Sequence, residues 1–169
     1  MFQVSTASSQ LSKPAQYEEL VAQARSLLAD ETDRIANAAN FSSLVFNSLD
    51  GLNWVGFYFF DGAELVVGPF QGKPACVRIA LGRGVCGTAA QTRVTQVVRD
   101  VHEFPGHIAC DSASQSEIVE PLIAGDGTLI GVWDVDSPRV ARFDDEDAKG
   151  MEAGCRVFVE LAWSRTAAK

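Results

Sequence analysis

Three of the four cysteines in this chain, Cys76, Cys86 and Cys110, fall within residues 76–110, in the contexts "KPACVRI", "GVCG" and "GHIACDSASQSEIVEP". Cys110 stands among His107, Asp111, Glu117 and a row of small hydroxyl residues. Packing alone would favour a larger apolar side chain there, and a surface loop would favour serine. A thiol in this setting points to nucleophilic, redox or metal chemistry. At an unperturbed pKa near 8.5 only about 3% of a cysteine is thiolate at pH 7, so a nucleophile needs a cation or a set of N–H groups beside it. His107 is a candidate helper, while Asp111 or Glu117 close by would raise the thiol pKa. The spacing C-x9-C-x23-C contains no CxxC pair, so the usual zinc signature is absent and no resident metal is expected. A set made of the three cysteines and His107 is the metal alternative. Cys155 falls on the apolar face of a C-terminal helical pattern and reads as a core residue.

Carboxylates and aromatics form a second group. Alternation in "NWVGFY" sends Trp54, Gly56 and Tyr58 to one face of a strand, and a glycine between two large aromatics would leave an opening over the sheet. Either a cup for a small ligand or an aromatic core stripe satisfies that pattern. In "GVWDVDSP" the same alternation puts Val132, Asp134 and Asp136 on one face. Two carboxylates two residues apart on an apolar strand need a cation, a donor or water nearby. The other reading is that the strand ends at Asp134 and the rest is a solvated turn.

The segment "GRGVCG", residues 82–87, matches G-x-G-x-x-G after a plausible strand. Only "TAAQTR" is left before the next strand pattern, under two helical turns, whereas a parallel crossover needs a dozen or more residues. Dinucleotide binding is therefore set aside, and the glycines read as a tight turn presenting Cys86.

The elements that must position these residues follow from periodicity. Residues 12–49 carry two helical runs, with Leu20, Ala24, Leu27 and Leu28 in the first and Ile35, Phe41, Leu44 and Val45 in the second. Short β-rich runs follow at "NWVGFYFF", "ELVVGPF", "ACVRIAL", "TQVVRD", "SEIVEPLIA" and "TLIGVWDVD", with hairpin signals at "DGAE" and "GDGT". The last run, "RFDDEDAKGMEAGCRVFVELAW", has Asp144 as N-cap, acids in its first turn and apolar residues at 151, 155, 158, 159 and 162. Helices, hairpin-linked strands and a closing helix predict an α+β fold, an antiparallel sheet flanked by N- and C-terminal helices.

At 169 residues the expectation is one domain over 1–169, with residues 1–16 a poorly structured N-terminal segment. Hydrophobic residues make up 47% and charged residues 21%, which suits a folded globular chain. A formal charge of −8 argues against nucleic acid and against an anionic membrane surface. The chain shows no run long enough to span a bilayer and no signal-peptide pattern, so a cytoplasmic location with reduced thiols is expected.

Together, "NWVGFYFF", "GKPACVRIALGRGVCGTAA", "VVRDVHEFPGHIACDSASQSEIVEPL" and "GVWDVDSPRVARFDDED" resemble the free methionine-R-sulfoxide reductases, a family built on the GAF fold. The resemblance spans most of residues 41–147 and shows no departure at the motif positions. It implies that Cys110 is the nucleophile, Cys76 the main resolving cysteine and Cys86 an auxiliary one. It also implies a substrate pocket made by Trp54, Tyr58, Glu117, Asp134 and Asp136, a sulfenic acid and disulfide cycle, thioredoxin as external reductant with no bound cofactor, and a homodimer. A Cys76 to Cys110 link requires Cα atoms within about 7 Å. The rival reading is a GAF-type sensor of a small ligand or of its own redox state; such modules usually sit beside an output domain, for which 169 residues leave no room.

Overall fold

The computed structural model describes residues 11–107 and 111–163. Helix α1 (Lys13–Leu28) carries Pro14 in its first turn, where a missing N–H leaves no bond unmade. It takes in residues 13–16, the end of the segment expected to be poorly structured. Helix α2 (Arg34–Ser48) starts at Asp33, whose side chain accepts from the Ala36 N–H at 2.8 Å. Then come β1 (Trp54–Phe60), β2 (Glu64–Gly72), β3 (Arg78–Ala80), α3 (Gly84–Thr92), β4 (Gln96–Val98), β5 (Ser116–Ile123), β6 (Leu129–Ser137) and α4 (Asp145–Phe158).

Among the described residues the strands form one antiparallel sheet in the order β3-β2-β1-β6-β5-β4. Both expected hairpins are present, and each turn is held by an aspartate. Asp61 accepts from the N–H groups of Ala63 and Glu64 at 2.9 and 3.0 Å, and Asp126 accepts from Thr128 N–H at 2.9 Å. The two-residue period of the strands sorts side chains between two cores. Val55, Phe57, Ile118, Trp133 and Val135 face α1, α2 and α4, where Phe57 meets Phe158 and Trp133 at ring distances of 4.4 and 4.5 Å. Trp54, Tyr58, Val119 and Val132 face the other way, toward Val85, Cys86 and Ala89 of α3.

The apolar residues read on the terminal helices go into the first core. Leu20, Ala24 and Leu28 of α1 pack with Phe41, Leu44 and Val45 of α2 and with Met151, Cys155 and Phe158 of α4. These faces are covered within one chain. Ile35 is the exception, 59% exposed. Helix α4 opens with the expected Asp144 cap, which accepts from Glu146 and Asp147 N–H groups at 2.9 and 3.2 Å while Asp147 accepts from the Asp144 N–H at 2.9 Å. This reciprocal box contributes about 1 kcal/mol. The second carboxylate also ties α1 to α4: buried Asp147 receives Lys13 Nζ at 2.7 Å, Tyr17 Oη at 2.8 Å and Arg142 Nη1 at 3.0 Å. Among the described residues no helix is long and apolar enough to cross a membrane.

Candidate active site

Strand registers bring the candidate residues together. Trp54 lies opposite Asp136 and Gly56 opposite Asp134 across β1 and β6, and Glu117 lies opposite Asp136 across β5 and β6. Opposed residues in an antiparallel ladder point to the same side. Trp54, Tyr58, Glu117, Asp134 and Asp136 therefore share the face that α3 covers. β6 runs on to Ser137, so Asp134 and Asp136 both belong to the strand and the solvated-turn alternative falls.

The opening expected over Gly56 is filled. The Trp54 ring stacks on Phe70 at 5.2 Å and on Tyr58 at 5.7 Å, and a Cβ at Gly56 would stand 2.3 Å from the Phe70 Cβ and 2.7 Å from the Trp54 ring. The glycine is needed for close packing of Phe70, which β2 supplies across the hairpin. Trp54 is 2% exposed, donates from Nε1 to the Lys73 carbonyl at 3.1 Å, and lines a small cleft with Tyr58, Asp134 and Asp136. Tyr58 reaches the cavity itself.

"GRGVCG" is also not the tight turn expected. Only its first two residues turn; Gly84 onward is the N-terminal turn of α3, with Cys86 in that turn. Gly82 and Gly84 take φ of +76° and +61°, open to glycine without strain, and a Cβ at Gly87 would stand 2.3 Å from the Ala80 carbonyl oxygen. The glycines let a helix lie directly on the sheet. The strands that flank α3, β3 and β4, are at opposite edges of an antiparallel sheet, so no dinucleotide-binding βαβ unit forms.

The carboxyls are removed from water by this arrangement. Glu117 and Asp134 are each 6% exposed, and Asp136 stands at the more open end. Burial, then the charge of Asp134, pushes Glu117 well above the usual carboxylate range; Asp136 is raised by the same two causes in the same order. Asp134 is raised by burial to about 7, with bonds from Cys86 and Glu117 pulling the other way. Protons are thus held among three carboxyls near neutrality.

Cys86 Sγ lies 3.8 Å from Glu117 Oε1 as a donor. Its place at a helix N-terminus favours a thiolate, but burial together with Asp134 and Glu117 wins and pushes the thiol well up. His107 Nε2 is 3.9 Å from Glu117 Oε2. Burial lowers the imidazole and raises the carboxyl, which works against a charged pair at this contact.

Asp111 behaves differently from its neighbours. The Ala113 N–H, then Asn53 and Lys73, hold its carboxyl below the usual range. Asn53 Nδ2 donates to Asp111 Oδ2 at 3.2 Å and to Ser114 Oγ at 3.0 Å, and Lys73 Nζ is 3.4 Å from Asp111 Oδ1. This network fixes the chain just after Cys110 to the start of β1. Sequence reasoning missed Asn53, Lys73 and Ser114; the polar residue directly before an apolar strand was the one available signal.

The three redox candidates divide. Cys76 is disulfide-bonded, and Cys86 and Cys155 are free buried thiols. Cys110, the expected nucleophile, lies outside the described residues. A metal set of three thiolates with His107 cannot form in this state, because the Cys76 sulfur is committed to the disulfide. Between Tyr58, Arg83, Cys86, His107, Glu117 and Asp134 lies a cavity of about 30 Å³. That is room for about two waters and far less than a typical ligand pocket.

The chain matches a known family. The GAF domain family covers residues 19–159. The free methionine-R-sulfoxide reductase of Escherichia coli is 50% identical over 141 residues, 83% of this chain and 85% of that one. The chain belongs to that family. Among solved structures, the free methionine-R-sulfoxide reductase of Neisseria meningitidis in complex with its substrate is 42% identical, with a TM-score of 0.92 over 100% of both chains. A Burkholderia vietnamiensis protein described as a "Putative GAF sensor protein" is 76% identical, with a TM-score of 0.91 over 93% of this chain and 99% of that one. The α+β, GAF-like expectation is borne out by these matches and by the sheet.

Proposed function

We propose that this chain reduces free L-methionine-R-sulfoxide to methionine. The observation that carries the reading is the group Glu117, Asp134 and Asp136, which holds protons near neutrality and lines one cavity with His107 and Asp111. A sulfoxide sulfur becomes electrophilic when its oxygen is protonated, and a raised carboxyl is suited to donate that proton. The Cys110 thiolate attacks the sulfur, the S–O bond breaks, and methionine leaves as Cys110 takes the oxygen as a sulfenic acid. The Cys76 thiol then attacks the Cys110 sulfur, water leaves, and a Cys76–Cys110 disulfide forms. Thioredoxin reduces it by two thiol–disulfide exchanges.

Support comes from the disulfide at Cys76 with Cys86 and Cys155 free, a pattern suited to the state after turnover. The narrow cavity suits the same state, since substrate needs more room than 30 Å³. Cys86 serves as the auxiliary thiol, and its buried place against Glu117 suits a slower resolving role. Free substrate is chosen over peptide-bound sulfoxide by carboxylates at the amine and by backbone N–H groups at the α-carboxylate. A cytoplasmic location supplies the thioredoxin. A homodimer rests on the family resemblance alone, because the apolar faces of the terminal helices are used within the chain.

The test is NADPH consumption with thioredoxin and thioredoxin reductase, offering the free R epimer, the free S epimer and a peptide-bound sulfoxide. Turnover confined to the free R epimer and abolished by Cys110→Ser is the expected result. Absence of turnover with all three substrates and intact thiols would return the chain to the sensor reading that its Burkholderia relative's name suggests.

A further inference from the structure

Cys86, Glu117 and Asp134 place one sulfur and two carboxylate oxygens within 4.8 Å of one another, all buried. The Cys86 Sγ to Glu117 Oε1 distance is 3.8 Å. Around a tetrahedral zinc, with Zn–S of about 2.3 Å and Zn–O of about 2.0 Å, adjacent sulfur and oxygen ligands stand about 3.5 Å apart. The Cys86–Glu117 edge is within a few tenths of an ångström of that value, the other two edges are no longer than 4.8 Å, and these side chains come from α3, β5 and β6.

A second observation is independent of the spacing. Asp134 Oδ1 is enclosed and has no hydrogen-bond partner, while the carboxylate lines the cavity. A buried carboxylate oxygen without a donor is an acceptor in want of a cation or proton. The adjoining space of about 30 Å³ provides a fourth position for a water or for His107, which lines the same cavity.

We propose that Cys86, Glu117 and Asp134 form a binding site for one borderline-soft divalent cation of the zinc type. A donor set of one thiolate and two carboxylates in fourfold geometry favours such an ion over magnesium or calcium, which take six or more oxygens. Binding forms one metal–sulfur and two metal–oxygen bonds, and the Cys86 thiol proton together with the protons held by Glu117 and Asp134 goes to solvent, so binding strengthens as pH rises. The ion would occupy the carboxyls that serve the sulfoxide oxygen, so it competes with substrate; this consequence for turnover rests on the reductase reading, while the binding does not.

The probe is Co²⁺ titrated into the disulfide-bonded protein, in which Cys76 is unavailable, with Zn²⁺ used to displace it. A thiolate-to-cobalt charge-transfer band saturating at one equivalent and erased by Zn²⁺ is the expected result. The band should vanish in both Cys86→Ser and Cys86→Ala with the thermal melt kept, persist in Cys155→Ser, and require roughly tenfold or more cobalt in Glu117→Gln and Asp134→Asn. No thiolate band at one equivalent, or a band that survives the loss of Cys86, would overturn the site. Because the oxidised protein does not turn over, failure here leaves the reductase reading standing, and a failed turnover assay leaves this site standing.

Discussion

Replacing Asp134 by asparagine should stabilise the fold above neutrality and do little in acid. Asp134 has a carboxyl raised from 3.8 to about 7 by burial between α3 and the sheet. The folded state therefore holds its proton more tightly than the unfolded chain does. Below about pH 4 both states are protonated and the group is neutral to stability. As pH rises from about 4 to 7 the unfolded chain is favoured by about 1.4 kcal/mol per pH unit, and above 7 the loss is complete. The ceiling is about 4 kcal/mol by pH 8, of which about 1.6 is already present at pH 5. Glu117 and Asp136 share protons with Asp134, so the realised value falls below the ceiling. The assay is urea denaturation of wild type and Asp134→Asn at pH 5 and pH 8, with chelator present. The variant should gain at least about 1 kcal/mol more at pH 8 than at pH 5, up to about 3. An equal change at both pH values would refute the claim that the buried carboxyl is protonated near neutrality.

Other perturbations separate packing, electrostatics and chemistry. Asp147→Ala strands the buried Tyr17 hydroxyl and takes one ion-pair partner each from half-buried Lys13 and Arg142, which keep Asp144 and the Asp50 carbonyl, and should cost about 1–3 kcal/mol by urea denaturation. Gly150→Ala, which helix propensity alone would make stabilising by about 1 kcal/mol, should instead destabilise by about 1–3 kcal/mol, because the new Cβ would stand 2.1 Å from the Tyr17 ring. Cys76→Ser should slow thioredoxin-driven turnover to the rate at which Cys86 resolves, and only the double variant Cys76→Ser, Cys86→Ser should stop after one equivalent of methionine per chain and trap a sulfenic acid, measured by dimedone labelling and mass spectrometry.

Local patterns carried the sequence reading as far as local physics reaches. Alternation placed Trp54 and Tyr58 on one face of their strand and Asp134 and Asp136 on one face of theirs, and the pairing of the two strands brings those faces together. Asp144 was legible as a cap because capping depends on four consecutive residues. The failures involve partners distant in sequence. Nothing near Gly56 indicates that Phe70 fills its space, and nothing near residue 147 indicates that Lys13 and Tyr17 arrive from the other end of the chain. "GRGVCG" was misread as a turn because a nine-residue helix is too short to show a clear apolar stripe, and its small residues resemble loop composition.

That misreading bears on how the site works. Cys86 and its neighbours Gly84, Val85, Gly87, Ala89 and Ala90 are all small or medium and all buried, so α3 lies close enough on β5 and β6 to exclude water from three carboxyls. Bulkier side chains would lift the helix, rehydrate Glu117 and Asp134, and return their pKa values toward those of ordinary surface acids. Small-residue packing and proton retention are then one property. The fold gives up stability at neutral pH to keep these acids protonated, a cost that the proposed reduction would use at the sulfoxide oxygen.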